Sequence, residues 1–256
     1  MKLAWEAAGL TDVGLVRSGN EDAFLVDAPR GVFLVADGMG GHAAGEVASA
    51  IAAEAVGGAL REGVDAGLRT EVLEASMAES FRVANHAILS WSAENPATTG
   101  MGTTCTALVV CDDGTFRLAH IGDSRMYVVR DGELAQVSVD HTWVQQEVSA
   151  GRLTERAART HRLSHVLTRA LGADLDEPEI YRGTFLPGDV VLLCTDGLTG
   201  MLGDRILRRV LVRPDPLPEL LATLIDGANR RGGRDNITAV IVRMYDPDPT
   251  AEQATE

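Results

Sequence analysis

Six acidic side chains and one arginine in this 256-residue chain have the types and placement to do chemistry. Asp37 ends the apolar run VFLVA, and Asp196 ends VVLLCT. Each is followed by a glycine and then by a helix-like stretch, so a hairpin turn accounts for neither. Asp235 stands just before the apolar stretch ITAVIV, and Glu21-Asp22 stand just before AFLV. In antiparallel neighbours the end of one strand lies beside the start of the next. All five could therefore collect at one edge. Asp123 follows Gly122 inside the strand-like AHIGDSRMYVV, which predicts a bulge that re-aims its carboxylate. Taken singly, each aspartate reads as a turn or cap residue. Converging without compensation, they would repel one another strongly. Either they stay apart or cations sit between them, and an all-oxygen donor set favours Mg²⁺, Mn²⁺ or Ca²⁺ over zinc. Carboxylates shared by two ions about 3.5–4 Å apart make a hydrolytic centre. Gly38 could lend its carbonyl, and the glycine-rich GMGGHAAG lets a ligand approach the backbone. Arg17, four residues before Glu21, is suited to grip an anionic substrate in bidentate fashion; alone it reads as a solvated charge.

The elements that must hold these groups follow from periodicity. Residues 10 to 36 read as two or three strands, with a hairpin turn near Pro29-Arg30-Gly31. Helical patterns run from Gly45 to about Leu60 and over 68–93. Four strands follow, with Asp113-Gly114 and Asp131-Gly132 as two-residue hairpin signals. Residues 141–178 are mixed and charged, and read as an inserted surface segment. Strand character returns around Pro187-Gly188-Asp189, then two helices (about 203–212 and 216–231) and the closing strand NITAVIVRMY. This order predicts an α+β protein with two antiparallel sheets and helices outside them. One domain, 1–246, is expected, with a flexible tail at 247–256.

Composition narrows the function. A net charge of −14 argues against nucleic acid or an anionic membrane as the main partner. With aromatics at 4%, Ala, Val and Leu must build most of the core. Cys105, Cys111 and Cys194 all lie in apolar runs without a Cys-x-x-Cys pair, so they read as core residues in a reducing cytoplasm. No signal-peptide or membrane-spanning pattern is read.

Eight stretches, RSGNEDAF, VADGMGGHAAGEVAS, GTTCTALVV, HIGDSRMY, DHTWVQQEV, HVLTRALG, LLCTDGLT and GGRDNITAVIV, resemble in order the bacterial metal-dependent Ser/Thr protein phosphatases of type 2C. The resemblance implies a four-layer αββα sandwich and hydrolysis of phosphoserine and phosphothreonine in proteins by a metal-bridging water. It implies two Mn²⁺ or Mg²⁺ ions held by Asp37, the Gly38 carbonyl, Asp196 and Asp235, with Glu21 acting through a coordinated water and Asp22 behind them. Asp123 with Asp196 matches the place of a third, weaker ion, and Arg17 would bind the phosphate. His42 would protonate the leaving oxygen or, alternatively, stabilise its loop by a hydrogen bond. Residues 141–178 correspond to the family's flap, where His161 is the candidate for touching substrate. The expected partners are phosphorylated proteins, including a bacterial Ser/Thr kinase and its targets, and the expected state is a monomer. The alternatives are a phosphoprotein-binding module that has lost its chemistry and a small-molecule phosphoesterase.

Overall fold

The computed structural model describes residues 2–40, 44–173 and 177–248. His42 and most of the expected tail, 249–256, lie outside the described residues. Two antiparallel sheets form the centre. The first contains β1 (Ala4–Asp12), β11 (Ile237–Tyr245), β10 (Val190–Cys194), β7 (Arg125–Arg130) and β8 (Glu133–Gln136), in that spatial order. The second contains β2 (Asp22–Asp27), β3 (Val32–Met39), β5 (Cys105–Val110), β6 (Thr115–Ile121) and β9 (Glu179–Thr184), with the two-residue β4 (Gly102–Thr103) paired to the end of β3.

Strand alternation builds three apolar layers, because successive side chains point to opposite faces. In β3, Phe33 and Val35 face the other sheet, in a layer shared with Leu118 of their own sheet and with Leu193 and Val242 of the opposite one. Val32, Leu34 and Ala36 face outward, onto α1 (Ala44–Asp65) and α2 (Thr70–Glu94). From α1 that layer takes Ala48, Ala52, Val56 and Leu60, each four residues after the one before, on one helix face. On the far side, Leu192, Cys194, Ala239 and Ile241 pack under α6 (Asp204–Leu211) and α7 (Leu217–Asn229), through Leu207, Leu211, Leu220 and Leu224. The result is the expected αββα order, with the three cysteines buried and free. Among the described residues, no helix is long and apolar enough to cross a membrane.

Two details differ from the sequence reading. Gly122-Asp123 is not a bulge within a strand; it is where the chain leaves the second sheet (β6) for the first (β7). Gly122 has φ +104°, and a Cβ there would come within 2.5 Å of the Thr104 side chain, so the crossing requires glycine. Pro187-Gly188-Asp189 is a turn, as the sequence indicates, and it too joins strands of different sheets, β9 and β10. Local pattern gives strand ends but not the sheet to which each strand belongs. The first strand also begins earlier than periodicity indicates, at Ala4.

Between β8 and β9 the segment 141–178 carries two short helices, α3 (Trp143–Ser149) and α4 (Glu155–Ala158). Thr142 and Thr154 cap them through their side-chain oxygens. Single bridges, Thr142 to Leu167 and Thr103 to Leu171, tie the segment to itself and to β4.

Candidate active site

The chain's own turns and crossings bring the acidic residues to one end of the sandwich. Asp37 pairs directly with Asp22 across β2 and β3. Its backbone is clamped: its N–H donates to Thr104 Oγ1, its carbonyl accepts from the Thr104 N–H, and Thr103 Oγ1 donates to the same carbonyl, each at 2.9 Å. These bonds satisfy the main chain and leave the carboxylate free of structural duty. Gly38 donates to the Glu21 carbonyl at 3.0 Å, and a Cβ on it would lie 2.1 Å from the Gly45 carbonyl. The glycine is therefore required by close approach of the β2 entry and the start of α1. Gly45 in turn lies against Glu21, whose Oε2 would be 2.7 Å from a Cβ there.

The opposite sheet contributes Asp196, at the start of the short α5 (Asp196–Thr199), and Asp235, just before β11. Thr195 joins the two sheets: its hydroxyl donates to Asp22 Oδ2 at 2.9 Å and accepts from the Thr238 N–H at 3.1 Å. Asn236, only 3% exposed, fastens the loop that carries Arg17 and Glu21. Its Oδ1 accepts from the Glu21 N–H at 2.8 Å, and its Nδ2 donates to the carbonyls of Val13 and Gly19 at 2.9 and 2.8 Å. Arg17 itself donates to Asp235 Oδ2 at 2.8 Å, and its side chain remains 46% exposed.

The electrostatics are those of buried carboxylates crowded against one another. Burial, then the charges of Asp196, Asp22, Asp123 and Asp235, push the Asp37 carboxyl well above the ordinary carboxylate range. Burial and then Asp196 do the same to Asp123, with Arg125 opposing. Asp196 is raised by burial and by Asp235, while a hydrogen bond with Asp37 pulls it back. Asp22 is pushed up to about 7, chiefly by burial, and its Oδ1 is buried without a hydrogen-bond partner. For Arg17, burial disfavours the charge, but Asp235, Glu21 and Asp37 outweigh it and raise its pKa. Among the described residues, no three His, Cys, Asp or Glu side chains form a ready-made ion cage. The convergence is one of strand ends and of charge. An all-oxygen set of mutually repelling carboxylates, one with an orphaned buried oxygen, fits hard divalent cations and suits neither zinc nor a soft metal.

Beside this centre lies a cleft of about 570 Å³ between the α3–α4 segment and α5–α6. Asp123 and Asp196 line it, with Arg125, Asp140, His165 and Arg159 among the other walls. Asp140 is held by Arg125 through a bidentate pair at 2.8 and 2.6 Å. His141 braces the crossing that presents Asp123: the Gly122 N–H donates to its Nδ1 at 3.1 Å, and its own N–H donates to the Gly122 carbonyl at 2.8 Å. His161 is not among the cleft-lining residues. Its ring stacks on Trp143, with centroids 5.1 Å apart, and His165 takes the wall position.

Thus Asp22, Asp37, Asp123, Asp196 and Asp235 are brought together, with Glu21 and Arg17 on the adjoining loop and His161 set apart. Sequence reasoning assigned no role to Thr104, Thr195, Arg125 or Asn236. Thr195, Arg125 and Asn236 stand one or two residues from an acidic site residue, whereas Thr104 is 67 residues from the Asp37 whose main chain it holds.

The protein phosphatase 2C family model matches residues 16–240. The chain is 39% identical over 241 residues to the serine/threonine protein phosphatase PstP of Mycobacterium tuberculosis, covering 94% of this chain and 45% of that protein. It thus spans about half the length of that relative. With the protein phosphatase PhpP of Streptococcus pneumoniae it shares 36% identity over 249 residues, covering 95% of this chain and 99% of PhpP. The crystal structure of the M. tuberculosis serine/threonine phosphatase PstP superimposes with a TM-score of 0.86 at 38% identity, covering 94% of this chain and 99% of that one. A structure of the PstP catalytic domain in complex with two manganese ions gives 0.85 at 38% identity, covering 95% of this chain and all of that one. With the site's geometry and these likenesses together, the chain belongs to the protein phosphatase 2C family.

Proposed function

We propose that this chain hydrolyses phosphoserine and phosphothreonine in proteins, using two Mn²⁺ or Mg²⁺ ions. The observation that carries the proposal is the convergence of carboxylates from both sheets, each raising its neighbours' proton affinity, at a cleft open to a substrate. Asp37, the Gly38 carbonyl, Asp196 and Asp235 would hold the ions, with Glu21 acting through a water and Asp123 with Asp196 serving a third, weaker one. When bound, the ions would lower the pKa of the attacking water and offset the charge of the phosphate.

The remaining work falls to the protein. Thr103 and Thr104 fix the Asp37 main chain, and Asn236 fixes the loop bearing Glu21 and Arg17. Arg17 donates to Asp235; with Asp235 holding an ion, the guanidinium would be available to grip phosphate oxygens. Water attacks phosphorus, the P–O ester bond breaks, and the serine or threonine oxygen leaves with a proton. His42 is our candidate for supplying that proton, since a histidine titrates near neutrality. Residues 141–178 act as the flap over the cleft. Substrate choice is assigned to that segment, on its His165 side rather than at His161. We place the substrates among targets of a Ser/Thr kinase and the enzyme, as a monomer, in the cytoplasm; the three free, buried cysteines support a reducing compartment.

The test is phosphate release from a phosphothreonine peptide with Mn²⁺, repeated after EDTA. Release that requires Mn²⁺ and stops with EDTA supports the reading. Folded protein that releases none in Mn²⁺ refutes it.

A further inference from the structure

In a chain of net charge −14, one exposed recess is basic. Arg205 and Arg209 stand one turn apart on α6, Arg231 follows the end of α7, and Arg159 reaches over from the end of α4. With Gly203, Asp204 and Ile206 they line a shallow cavity of about 720 Å³. Adjacent arginines are neutralised: Arg208 by Glu133 at 2.7 Å, and Arg159 by Asp204 at 2.9 Å. Arg205 and Arg209 have no ion pair among the described residues, and Arg231 donates only to the Gly227 carbonyl. Two like charges at i and i+4 on one helix face destabilise that helix unless something compensates them. The C-terminus of α6 favours Arg209, but no carboxylate among the described residues pairs with either side chain.

The recess is continuous with the catalytic cleft. Arg159, Gly203 and Asp204 line both cavities, and the cleft continues to Asp123 and Asp196. A polypeptide whose phosphoresidue reaches the carboxylates can pass the Arg159–Asp204 bridge and present another part of itself to the arginines. The occupant must be anionic. A phosphate monoester carries about −1.5 to −2 charges and three acceptor oxygens, enough for two guanidinium forks at once. A lone carboxylate satisfies one fork.

We propose that this recess docks a second phosphorylated residue of the same substrate chain. The proposal rests on the phosphatase reading and adds a preference for multiply phosphorylated proteins. It also answers a physical difficulty: the protein's net charge repels acidic substrates at long range, so capture needs a local positive field.

The experiment compares phosphothreonine peptides with and without a second, non-hydrolysable phosphonate-bearing residue. An extended chain covers about 3.3 Å per residue, so anchors placed about four, eight and twelve residues away sample roughly 13–40 Å. In the wild type, at least one spacing lowers KM about tenfold, the weight of one charge-assisted contact, with kcat unchanged. The gain shrinks as salt is raised. In the R205E/R209E variant it vanishes, with the singly phosphorylated peptide as the internal reference. No gain at any spacing, or a gain that survives in the variant, overturns the proposal. An equal gain from glutamate at the anchor position overturns the assignment to phosphate. Should no peptide be hydrolysed at all, the phosphatase reading fails separately. Fluorescence anisotropy with the phosphonate peptide lacking phosphothreonine then decides: binding lost in the variant supports the dock, and equal binding by both proteins overturns it.

Discussion

Asn236→Ala tests whether the loop bearing Arg17 and Glu21 is held by one buried amide. The wild-type side chain makes three hydrogen bonds of 2.8–2.9 Å, to Glu21, Val13 and Gly19, from a site 3% exposed. The Val13 and Gly19 carbonyls sit in an exposed stretch and can turn to water, so their loss is cheap. The Glu21 N–H lies at the β2 entry and is left without its acceptor, at about 1–3 kcal/mol for an unsatisfied donor. Adding a smaller penalty for the two carbonyls gives about 2–4 kcal/mol, within the usual range for breaking a buried hydrogen-bond network. For a domain of this size each kcal/mol moves Tm by about 2–4 °C, so the melting temperature should fall by about 4–16 °C. Because the same loop carries Arg17 and Glu21, KM for a phosphopeptide should rise as well, well below the new melting temperature. Thermal melts by circular dichroism and steady-state kinetics at 25 °C supply both readouts. A Tm within about 2 °C of wild type together with an unchanged KM would refute the reasoning.

Other expectations concern the carboxylates and Arg17. Asp37→Asn and Asp196→Asn should each abolish phosphate release while leaving the circular dichroism spectrum native; full turnover by either purified variant would reject its assignment as an ion ligand. Arg17→Ala should raise KM about tenfold or more with a small effect on kcat, since it removes phosphate binding rather than the attacking group. The same change releases Asp235 and should tighten Mn²⁺ binding by calorimetry; an unchanged KM would remove the gripping role. The metal-free protein should lose stability as pH rises. Asp22 has a folded pKa of about 7 against an ordinary 3.8, so the folded state keeps a proton that the unfolded chain has released. The destabilisation develops as pH climbs through that window and reaches at most about 4 kcal/mol for this group. Melts between about pH 5.5 and pH 8 should show a falling Tm that Mn²⁺ restores, most strongly at the higher pH. A metal-free Tm that climbs across this range would contradict the carboxylate assignment.

Much of this was legible in sequence where a local signal existed. Asp37 and Asp196 stood out because a carboxylate ended a buried strand and a helix followed. The hairpins at Asp113-Gly114 and Asp131-Gly132 were readable from turn chemistry. What sequence could not give was sheet membership. Gly122-Asp123 reads the same whether the chain bulges or crosses, and only the sheet each flanking strand joins decides. The supporting groups were hidden for a related reason. Asn236 and Thr195 act on partners 215 and 173 residues away, distances at which periodicity says nothing. His161 and His165 lie in one irregular segment, where no repeat indicates which ring faces the cleft.

The division of the acidic residues between sheets has a consequence for how this protein can tolerate change. Asp22 and Asp37 ride on one sheet, Asp196 and Asp235 belong to the other, and Asp123 sits on the strand-to-strand crossing. Their spacing is thus set by the thickness of the apolar layer around Phe33, Leu118, Leu193 and Val242. With the proposed ligand set, a cation held from both sides would act as a rivet through that layer, and its affinity would gauge the gap. Substitutions that thin or swell this interior, far from any phosphate, should register first as weakened metal uptake and only later as unfolding.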